Sequence, residues 1–319
     1  MKKIPVIAVV GATASGKTAM AVELAKIFNG EVISADSMQI YKGMDIATAK
    51  PSAEEMDGIP HHLIDFLPVT SKYSVAQYIA DAAAAAGDII SRSKVPIIAG
   101  GTGLYIDSFI DNIVFEDEPD SAQVRQKLKE MKAQNGIEAL YDTLKAVDPD
   151  AARQIHINNE KRVMRALEVY FLTGETLTAR QRRSRAVESP YEAVFIGLDY
   201  RLRSKLYDRI NRRVDNMIEN GLVKEAQSYY NIKDADTASQ AIGYKELAGY
   251  LEGDLTLEQA AENLKAATRR YAKRQLTWFR RNERINWIYC DELDSFQSAV
   301  NRSADIIEKS GLFKRREDR

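Results

Sequence analysis

A glycine-rich loop near the start of the chain constrains its fold more than any other feature. The loop follows the pattern G-x-x-x-x-G-K-[S/T] and lies between a β-branched apolar run, Ile4 to Val10, and a segment with helical spacing that reaches Phe28. Such a turn directs backbone N–H groups and the positive end of a helix at a phosphate. We therefore expect a phosphate or diphosphate ligand on Gly11, Ala12, Thr13, Ala14, Ser15, Gly16, Lys17 and Thr18.

Strands that end in polar or glycine turns follow this loop along the chain. Val32 to Ala35 predicts a second strand that ends on Asp36, and Val95 to Ala99 predicts a strand that leads into Gly100 to Gly103. Leu63 to Leu67 is expected to form a further short strand. With helices between them, these strands predict an α/β fold of the P-loop NTPase-like type, a parallel sheet flanked by helices.

The pattern changes between Phe115 and Ser189, where helical spacing continues without a convincing strand. A polar, proline-containing junction, Glu116 to Asp120, opens this stretch, and Tyr191 to Leu198 restores a strand after it. We predict that residues 1–114 and 190–319 form one α/β core with C-terminal helices. Residues 115–189 are predicted to form a mostly helical insertion domain, because boundaries of this kind fall in polar junctions.

Composition excludes several classes of protein. No apolar run approaches the roughly 18 residues of a membrane-spanning helix. A single cysteine, Cys290, cannot form an internal disulfide. His61 and His62 have no third ligand at a metal-binding spacing, so we interpret them as turn and packing residues. Because removal of an N-terminal leader would destroy the glycine-rich loop, we expect a cytoplasmic protein.

Basic residues are unevenly distributed, although the chain as a whole is nearly neutral. It carries 45 basic and 46 acidic residues, so its net charge of −1 does not indicate nucleic acid. Three stretches are nevertheless strongly basic: Lys161 to Arg185, Arg201 to Arg213 and Arg269 to Arg284. In the last stretch, Arg270 and Arg274 share one side of a predicted helix. Such runs are usually solvated faces, but three of them in this chain favour contact with a phosphate backbone.

Several residues near the glycine-rich loop are candidates for chemical roles. Lys17 would bridge phosphate oxygens, and the Thr18 hydroxyl would bind Mg²⁺. Asp36 is a candidate general base, or alternatively a helix N-cap or an indirect Mg²⁺ ligand. An ATP hydrolase of this fold normally has an acid after a later strand, where this chain has Gly100 to Gly103. That turn is either a further anion site or only a tight connection.

Six further motifs follow Thr13 to Thr18 along the chain. They are Asp36 to Pro51, Pro60 to Asp65, Gly100 to Tyr105, Arg162 to Val169, Gln240 to Glu246 and Thr268 to Gln275. This ordered set resembles the tRNA dimethylallyltransferases, which prenylate an adenosine beside the anticodon, and it covers nearly the whole chain up to the region of Trp278. The glycine-rich loop alone is generic, whereas the ordered set is specific to this family.

The resemblance implies a ligand, a nucleophile and a set of residue roles. The ligand is expected to be dimethylallyl diphosphate, and the nucleophile N6 of adenosine 37 beside the tRNA anticodon. Asp36 matches the family's general base, and Thr102 and Arg213 match residues that bind the diphosphate and stabilise its departure. The insertion corresponds to the part that clamps the anticodon stem-loop. The expected tRNA contacts are Asp36, Ser37, Met38, Gln39, Thr102, Arg125, Lys161, Arg162, Val163, Met164, Arg165, Gln240, Ala241, Ile242, Gly243, Tyr244 and Lys245.

Two other functions are compatible with part of this pattern. An ATP-dependent small-molecule kinase would share the loop and the strand-end aspartate, but it does not need the basic stretches. A nucleotide-gated RNA-binding module would bind tRNA without forming a covalent product. We expect instead a prenyltransferase that uses Mg²⁺, does not require a membrane and acts as a monomer. The chain departs from the family pattern at Ala12, where proline is frequent, and at Ile157 and Asn159, where proline and aspartate are usual.

Overall fold

The chain divides into two compact units in a computed structural model that describes residues 3–115, 121–230, 232 and 241–316. Unit 1 contains Met1–Ile110 and Pro190–Arg319, and unit 2 contains Asp111–Ser189. The first boundary lies a few residues before the junction predicted between residues 114 and 115. The helix Gly103–Ile110 is the last element of unit 1 before the insertion, and the boundary lies at its end.

A six-stranded parallel sheet forms the centre of unit 1, which confirms the predicted fold class. The strand order is β3-β2-β4-β1-β5-β6, and every neighbouring pair is parallel. The strands are β1 (Ile4–Gly11), β2 (Gly30–Ala35), β3 (His61–His62), β4 (Val95–Gly100), β5 (Tyr191–Asp199) and β6 (Ile285–Tyr289).

Helices connect the strands and form all the regular structure described in unit 2. In chain order they are α1 (Lys17–Phe28), α2 (Ala53–Met56), α3 (Val75–Ser91), α4 (Gly103–Ile110), α5 (Ala122–Val147), α6 (Pro149–Gln154), α7 (Glu160–Thr173), α8 (Leu177–Ser184), α9 (Arg203–Glu219), α10 (Leu222–Tyr230), α11 (Tyr244–Leu251), α12 (Leu257–Phe279) and α13 (Phe296–Lys309). Within the described ranges, no helix is both long enough and apolar enough to cross a bilayer.

The central strand β1 is buried on both faces, which explains its uninterrupted apolar sequence. Ile7 and Val9 pack in one hydrophobic cluster with residues of α1 and α13. Val6 and Ala8 point to the other face of the sheet, where they pack with residues of α3 and α4. Two hydrophobic cores, one on each face, therefore fix the sheet between its helical layers.

The strand register brings three loops to the same edge of the sheet. Gly100 of β4 is paired with both Val10 of β1 and Ala35 of β2, and Gly11 is paired with Leu198 of β5. Since the strands are parallel, the chain leaves β1, β2 and β4 at one level. The carboxyl edge of a parallel sheet is the usual place for ligands in such folds.

The strand predicted over Leu63 to Leu67 is wrong, because the third strand is formed by the two preceding residues. His61 and His62 pair with Val32 and Ile33 of β2. Leu63 and Asp65 have φ angles of 58° and 54°, in the left-handed region, which an extended strand does not permit. His62 Nε2 lies 2.8 Å from Glu31 Oε2, so this histidine takes part in a hydrogen bond between strands.

Unit 2 has its own hydrophobic core between its helices. Leu140 and Leu144 of α5 and Leu167 of α7 are fully buried within it. Asp148 caps α6 by accepting a hydrogen bond from Ala151 N, and it also binds the backbone and hydroxyl of Thr178 at the start of α8. The described part of this unit contains helices and no strand, as the sequence pattern predicted.

Excision of unit 2 should leave unit 1 folded. The rings of Phe109 and Tyr191, which flank the insertion, have centroids only 4.3 Å apart, so a short Gly/Ser linker can replace residues 111–189. We expect the shortened chain to unfold cooperatively on heating and to keep its affinity for diphosphate. A shortened chain without a cooperative thermal transition would show that unit 1 depends on the insertion.

Candidate functional site

A cavity of about 320 Å³ opens in unit 1 where β1, β2 and β4 end. One part of its wall is polar, and the other part is apolar. The polar part includes Thr13, Lys17, Thr18, Asp36, Arg213 and Arg274, and the apolar part includes Val214, Met217, Ala241, Ile242 and Leu264. The site therefore suits an amphipathic ligand that has an anionic group at one end.

The glycine-rich loop has the geometry expected of an anion-binding turn. Gly16, at the N-cap of α1, has a φ angle of 101°, which only glycine adopts without strain. No side chain caps this helix, so its first N–H groups remain available to a ligand. Among the described residues, the buried Ser15 Oγ also has no hydrogen-bond partner. Lys17 and Thr18, the first residues of this helix, line the cavity, so their N–H groups lie where a phosphate would complete their hydrogen bonds.

The cations of the site are held in an environment that disfavours their charge. Burial, together with the neighbouring Arg213 charge, lowers the pKa of Lys17 to about 7, and Asp36 only partly opposes this shift. Burial likewise lowers the pKa of Arg213. In this structure the Lys17 ammonium donates a hydrogen bond to the Ala12 carbonyl at 2.6 Å. An anion in the cavity would restore favourable partners to both cations.

Asp36 follows β2 directly, and its carboxylate lines the cavity and accepts backbone hydrogen bonds. The hydrogen bonds that the described chain makes to it both reach Oδ1, from Met38 N at 2.8 Å and from Gln39 N at 3.3 Å. This is an Asx-type turn and not the helix N-cap of the alternative interpretation, because no helix begins in the described residues between β2 and Ala53 of α2. Because the turn uses Oδ1, the second oxygen of this cavity-lining carboxylate is left to accept a proton.

Thr102 braces the Asp36 loop instead of forming the cavity wall. Its backbone N–H donates to the Ala35 carbonyl at 3.1 Å, and its hydroxyl accepts a hydrogen bond from Ser37 N at 3.2 Å. In the turn after β4, Gly100 and Gly101 line the cavity. The predicted contact of Thr102 with diphosphate therefore stays a prediction, while its hydroxyl hydrogen-bonds with Ser37 N, next to Asp36, and with the Tyr271 hydroxyl.

Helix α12 contributes cavity residues that sequence reasoning did not single out for the site. Tyr271, Arg274 and Gln275 all line the cavity. Burial, with the Asp36 charge nearby, raises the pKa of the Tyr271 hydroxyl, so it remains protonated and can donate. All three residues belong to the motif Thr268 to Gln275, and that motif is the sequence signal that points to them.

Two further side chains fix the loop at residues 45–49, which forms part of the cavity wall. The Glu225 carboxylate accepts hydrogen bonds from the backbone N–H groups of Asp45, Ile46 and Ala47 and from the Tyr244 hydroxyl. Gln39 Nε2 donates to the carbonyls of residues 48 and 49. No sequence motif marks Glu225, because its partners lie about 180 positions away.

The predicted RNA contacts of unit 1 are mostly cavity residues. Ser37, Met38, Gln39, Ala241, Ile242 and Gly243 line the cavity together with Asp36. Lys245 is exposed, whereas Tyr244 is buried and directs its hydroxyl to Glu225. Gln240 lies outside the described residues. The stretch after it thus contributes more to the cavity wall than to an exposed surface.

In unit 2, the predicted RNA contacts divide into exposed, paired and buried side chains. Lys161 and Arg162 are exposed. Arg125 and Arg165 form ion pairs with the same largely buried carboxylate, Glu168, at 2.9 and 3.1 Å. Val163 is fully buried and Met164 packs at the edge of the same core. A side-chain contact between Val163 and RNA is therefore excluded by its packing.

Internal partners account for much of the positive charge in the three basic stretches. Arg203 and Arg280 both pair with the buried Asp199, and Arg209 Nε donates to the Ala14 carbonyl at 2.8 Å. On α12, by contrast, three exposed cations have no acidic partner in the part of the chain that the structure describes. They are Arg270, Lys273 and Arg274.

Comparisons with known proteins show the family of the chain. Residues 39–282 match the family described as IPP transferase. A tRNA dimethylallyltransferase of Caldanaerobacter subterraneus subsp. tengcongensis is 48% identical over 297 residues, covering 92% of this chain and 94% of the relative. A tRNA isopentenylpyrophosphate transferase structure from Bacillus halodurans covers 98% of this chain and is itself covered to 99%, with 45% identity and a TM-score of 0.71. A eukaryotic dimethylallyltransferase acting on tRNA is 28% identical, with coverages of 99% and 82% and a TM-score of 0.79.

The pKa of Lys17 predicts a pH-dependent affinity for anions. With a value of about 7 in the free protein, Lys17 loses its charge above that pH, whereas a bound diphosphate would raise its pKa. Binding above pH 7 must then take up a proton, so the contribution of Lys17 to affinity should fall about tenfold per pH unit.

Calorimetric titration with inorganic diphosphate from pH 6.5 to 9 would measure this dependence. The matched control is Lys17→Met, which retains the titration of the ligand but lacks that of the lysine. We expect the affinity ratio between the native chain and the variant to decrease as the pH rises. A constant ratio would mean that Lys17 stays charged throughout.

Proposed function

Because the chain belongs to the IPP transferase family, we propose that its cavity binds dimethylallyl diphosphate and supports transfer of the dimethylallyl group to N6 of adenosine 37 in tRNA, with release of diphosphate. The observation that carries this proposal is the convergence of Lys17, Asp36 and Arg213 on one cavity that also has an apolar wall. A kinase or a hydrolase needs the anion site but has no use for apolar contacts next to the transferred group.

The diphosphate would occupy the polar part of the cavity. There the N–H groups at the start of α1 meet the cations of Lys17 and Arg213, which burial deprives of solvent. Charge develops on the leaving oxygen as the allylic C–O bond breaks, and donors fixed in a dry site stabilise that charge more strongly than water does. The dimethylallyl group would face Val214, Met217 and Leu264.

We propose that Mg²⁺ accompanies the diphosphate and is held by Thr18. No cluster of three or more histidine, cysteine or acidic side chains that could hold a metal exists in the described ranges. Mg²⁺ commonly takes one or two protein oxygens and completes its octahedron with phosphate oxygens and water, which the position of Thr18 in the cavity wall permits. When bound, the ion would neutralise phosphate charge during C–O cleavage.

Asp36 would receive the proton of the reaction. The adenine N6 forms a bond to the allylic carbon, the C–O bond to diphosphate breaks, and the amine loses one proton to the carboxylate. Hydrogen bonding of Oδ1 to Met38 N and Gln39 N fixes the orientation of the Asp36 side chain. A general base must be within hydrogen-bond reach of its proton, and this orientation provides a fixed acceptor in the cavity.

The exposed cations of α12 would hold the tRNA backbone. Arg270 and Lys273 lie on the same helix as Arg274, which lines the cavity. Since N6 must reach a carbon inside the cavity, the adenine has to leave its stack.

We also propose that Lys161 and Arg162 of unit 2 contact the anticodon stem-loop, because both are exposed. We further propose action as a monomer, because Lys17, Asp36 and Arg213 all come from unit 1 of a single chain, and a cytoplasmic location, because the proposed substrate is a tRNA.

Replacement of Asp36 by asparagine should impair chemistry without affecting binding. Asparagine retains an oxygen that can accept from Met38 N and Gln39 N, but it cannot take a proton as a carboxylate does. We expect the single-turnover rate of prenyl transfer to fall about 10²–10⁴-fold. The affinities for tRNA and inorganic diphosphate serve as controls and should remain close to native. Full transfer activity in the Asp36→Asn chain would leave Asp36 with only its role in the turn.

Charge reversal on α12 should weaken tRNA binding selectively. The double variant Arg270→Glu/Lys273→Glu is expected to lower the affinity for tRNA and to reduce the dependence of log K on log salt by about 0.7–0.9 for each phosphate that the protein no longer neutralises. Diphosphate affinity should not change. The control Arg302→Glu/Lys309→Glu changes the net charge equally on α13. Equal losses of affinity in both double variants would indicate a general charge effect instead of a specific RNA-binding surface.

A further inference from the structure

Gln275 joins the two loops that frame the polar part of the cavity. Its side-chain oxygen accepts a hydrogen bond from Thr13 N in the glycine-rich loop at 2.8 Å. Its side-chain nitrogen donates to the Gly101 carbonyl in the turn after β4 at 3.0 Å. The residue is only 6% exposed, so water cannot easily replace either bond. The Gln275 side chain also takes part in a hydrogen bond with the Tyr271 hydroxyl of the same helix. A single buried amide thus connects the glycine-rich loop after β1 with the turn after β4.

The chemistry of this connection is specific to glutamine. The bridge needs an acceptor and a donor on one planar group, which glutamate supplies only when protonated and methionine does not supply at all. The site is also matched at Gly101, where a Cβ would lie 2.0 Å from the Gln275 nitrogen. The absence of a side chain at Gly101 therefore permits the amide to reach the carbonyl.

We propose that Gln275 is a positioning residue that sets the spacing between the glycine-rich loop and the turn after β4, and thereby the width of the diphosphate site. Thr13 and Gly101, the two residues that it holds, both line the cavity. This inference rests on the proposed function for the identity of the ligand. Gln275 does not contact the anion in this proposal. Its hydrogen bonds to Thr13 N and the Gly101 carbonyl hold the two loops, and other N–H groups of those loops would bind the anion.

The location of Gln275 on α12 gives the bridge a further consequence. The residue lies next to Arg274 and within one turn of Tyr271, so the helix that carries the exposed cations also anchors the glycine-rich loop. Displacement of reacting groups by about 1 Å can cost on the order of 10²-fold in rate. Loss of the bridge should therefore affect diphosphate binding and transfer much more than tRNA binding.

Substitution of Gln275 separates hydrogen bonding from packing. In Gln275→Met, which has a similar volume, we expect the KM for dimethylallyl diphosphate to rise and kcat to fall, with a combined loss of about 10–100-fold in kcat/KM. The Kd for tRNA should stay within twofold. In Gln275→Glu, activity relative to the native chain should rise as the pH falls, because the protonated carboxyl regains the donor. A methionine variant with native constants would overturn the proposal.

A double-mutant cycle with Gly101 tests the same bridge independently. Gly101→Ala should displace the Gln275 amide and weaken the binding of inorganic diphosphate, whereas in a Gln275→Ala background the added methyl group meets no side chain. We expect the double variant to be no weaker than Gln275→Ala alone, and strictly additive losses would overturn the bridge. Thermal unfolding shows which variants are folded. If Gln275→Met does not fold, the double-mutant cycle still tests the bridge. Failure of the native chain to prenylate tRNA would refute the proposed function but leave the diphosphate measurements valid.

Discussion

Parallel pairing of β1 with β4 and β5 is the constraint on which the site depends. Gly11, Gly100 and Ala35 end their strands at one level, so the glycine-rich loop, the turn after β4 and the Asp36 loop meet at one edge. The hydrophobic cores on both faces of β1 fix that register, because a slip by one residue would move every side chain of the strand into the core on the opposite face, where the packing partners differ. The strand register therefore sets the position of the cavity, whichever side chains line it.

Burial makes the polar part of this cavity a strong anion site. It also makes the empty site unfavourable, because the buried cations then lack both solvent and an anionic partner. The lowered pKa values of Lys17 and Arg213 have the same cause, the loss of solvent around two neighbouring cations with one carboxylate nearby. Hydrogen bonds to neutral backbone groups hold another part of the wall. Glu225 and Gln39 secure the loop at residues 45–49 from two sides, and neither draws on the charges that would meet a ligand.

Local sequence signals predicted the parts of the molecule that local chemistry determines. The glycine-rich loop, the apolar strand β1 and the helical character of the insertion are each encoded in a continuous segment, and the structure confirms the first strand and the helices. The strand expected at Leu63 to Leu67 failed because apolar composition does not reveal left-handed φ angles. Glu225 and Gln275 were missed for a different reason: their partners lie far away in sequence, Thr13 being 262 positions from Gln275. Likewise, only the fold shows that Asp199 occupies Arg203 and Arg280, so the basic stretches overstated the available positive surface.

The turn after β4 explains how a loop shared with nucleotide hydrolases can serve a different reaction. A hydrolase places an acid near this strand to hold Mg²⁺, and this chain has a glycine turn there instead. The space at Gly101 admits the Gln275 amide, and Thr102 directs its hydroxyl to the backbone of the Asp36 loop. The acidic residue of this site is Asp36, which lies at the end of β2 on the wall of a cavity with an apolar side. In the proposed reaction, a carboxylate in that position would accept a proton from the incoming amine, while the cations of the loop and of α9 would stabilise the departing diphosphate.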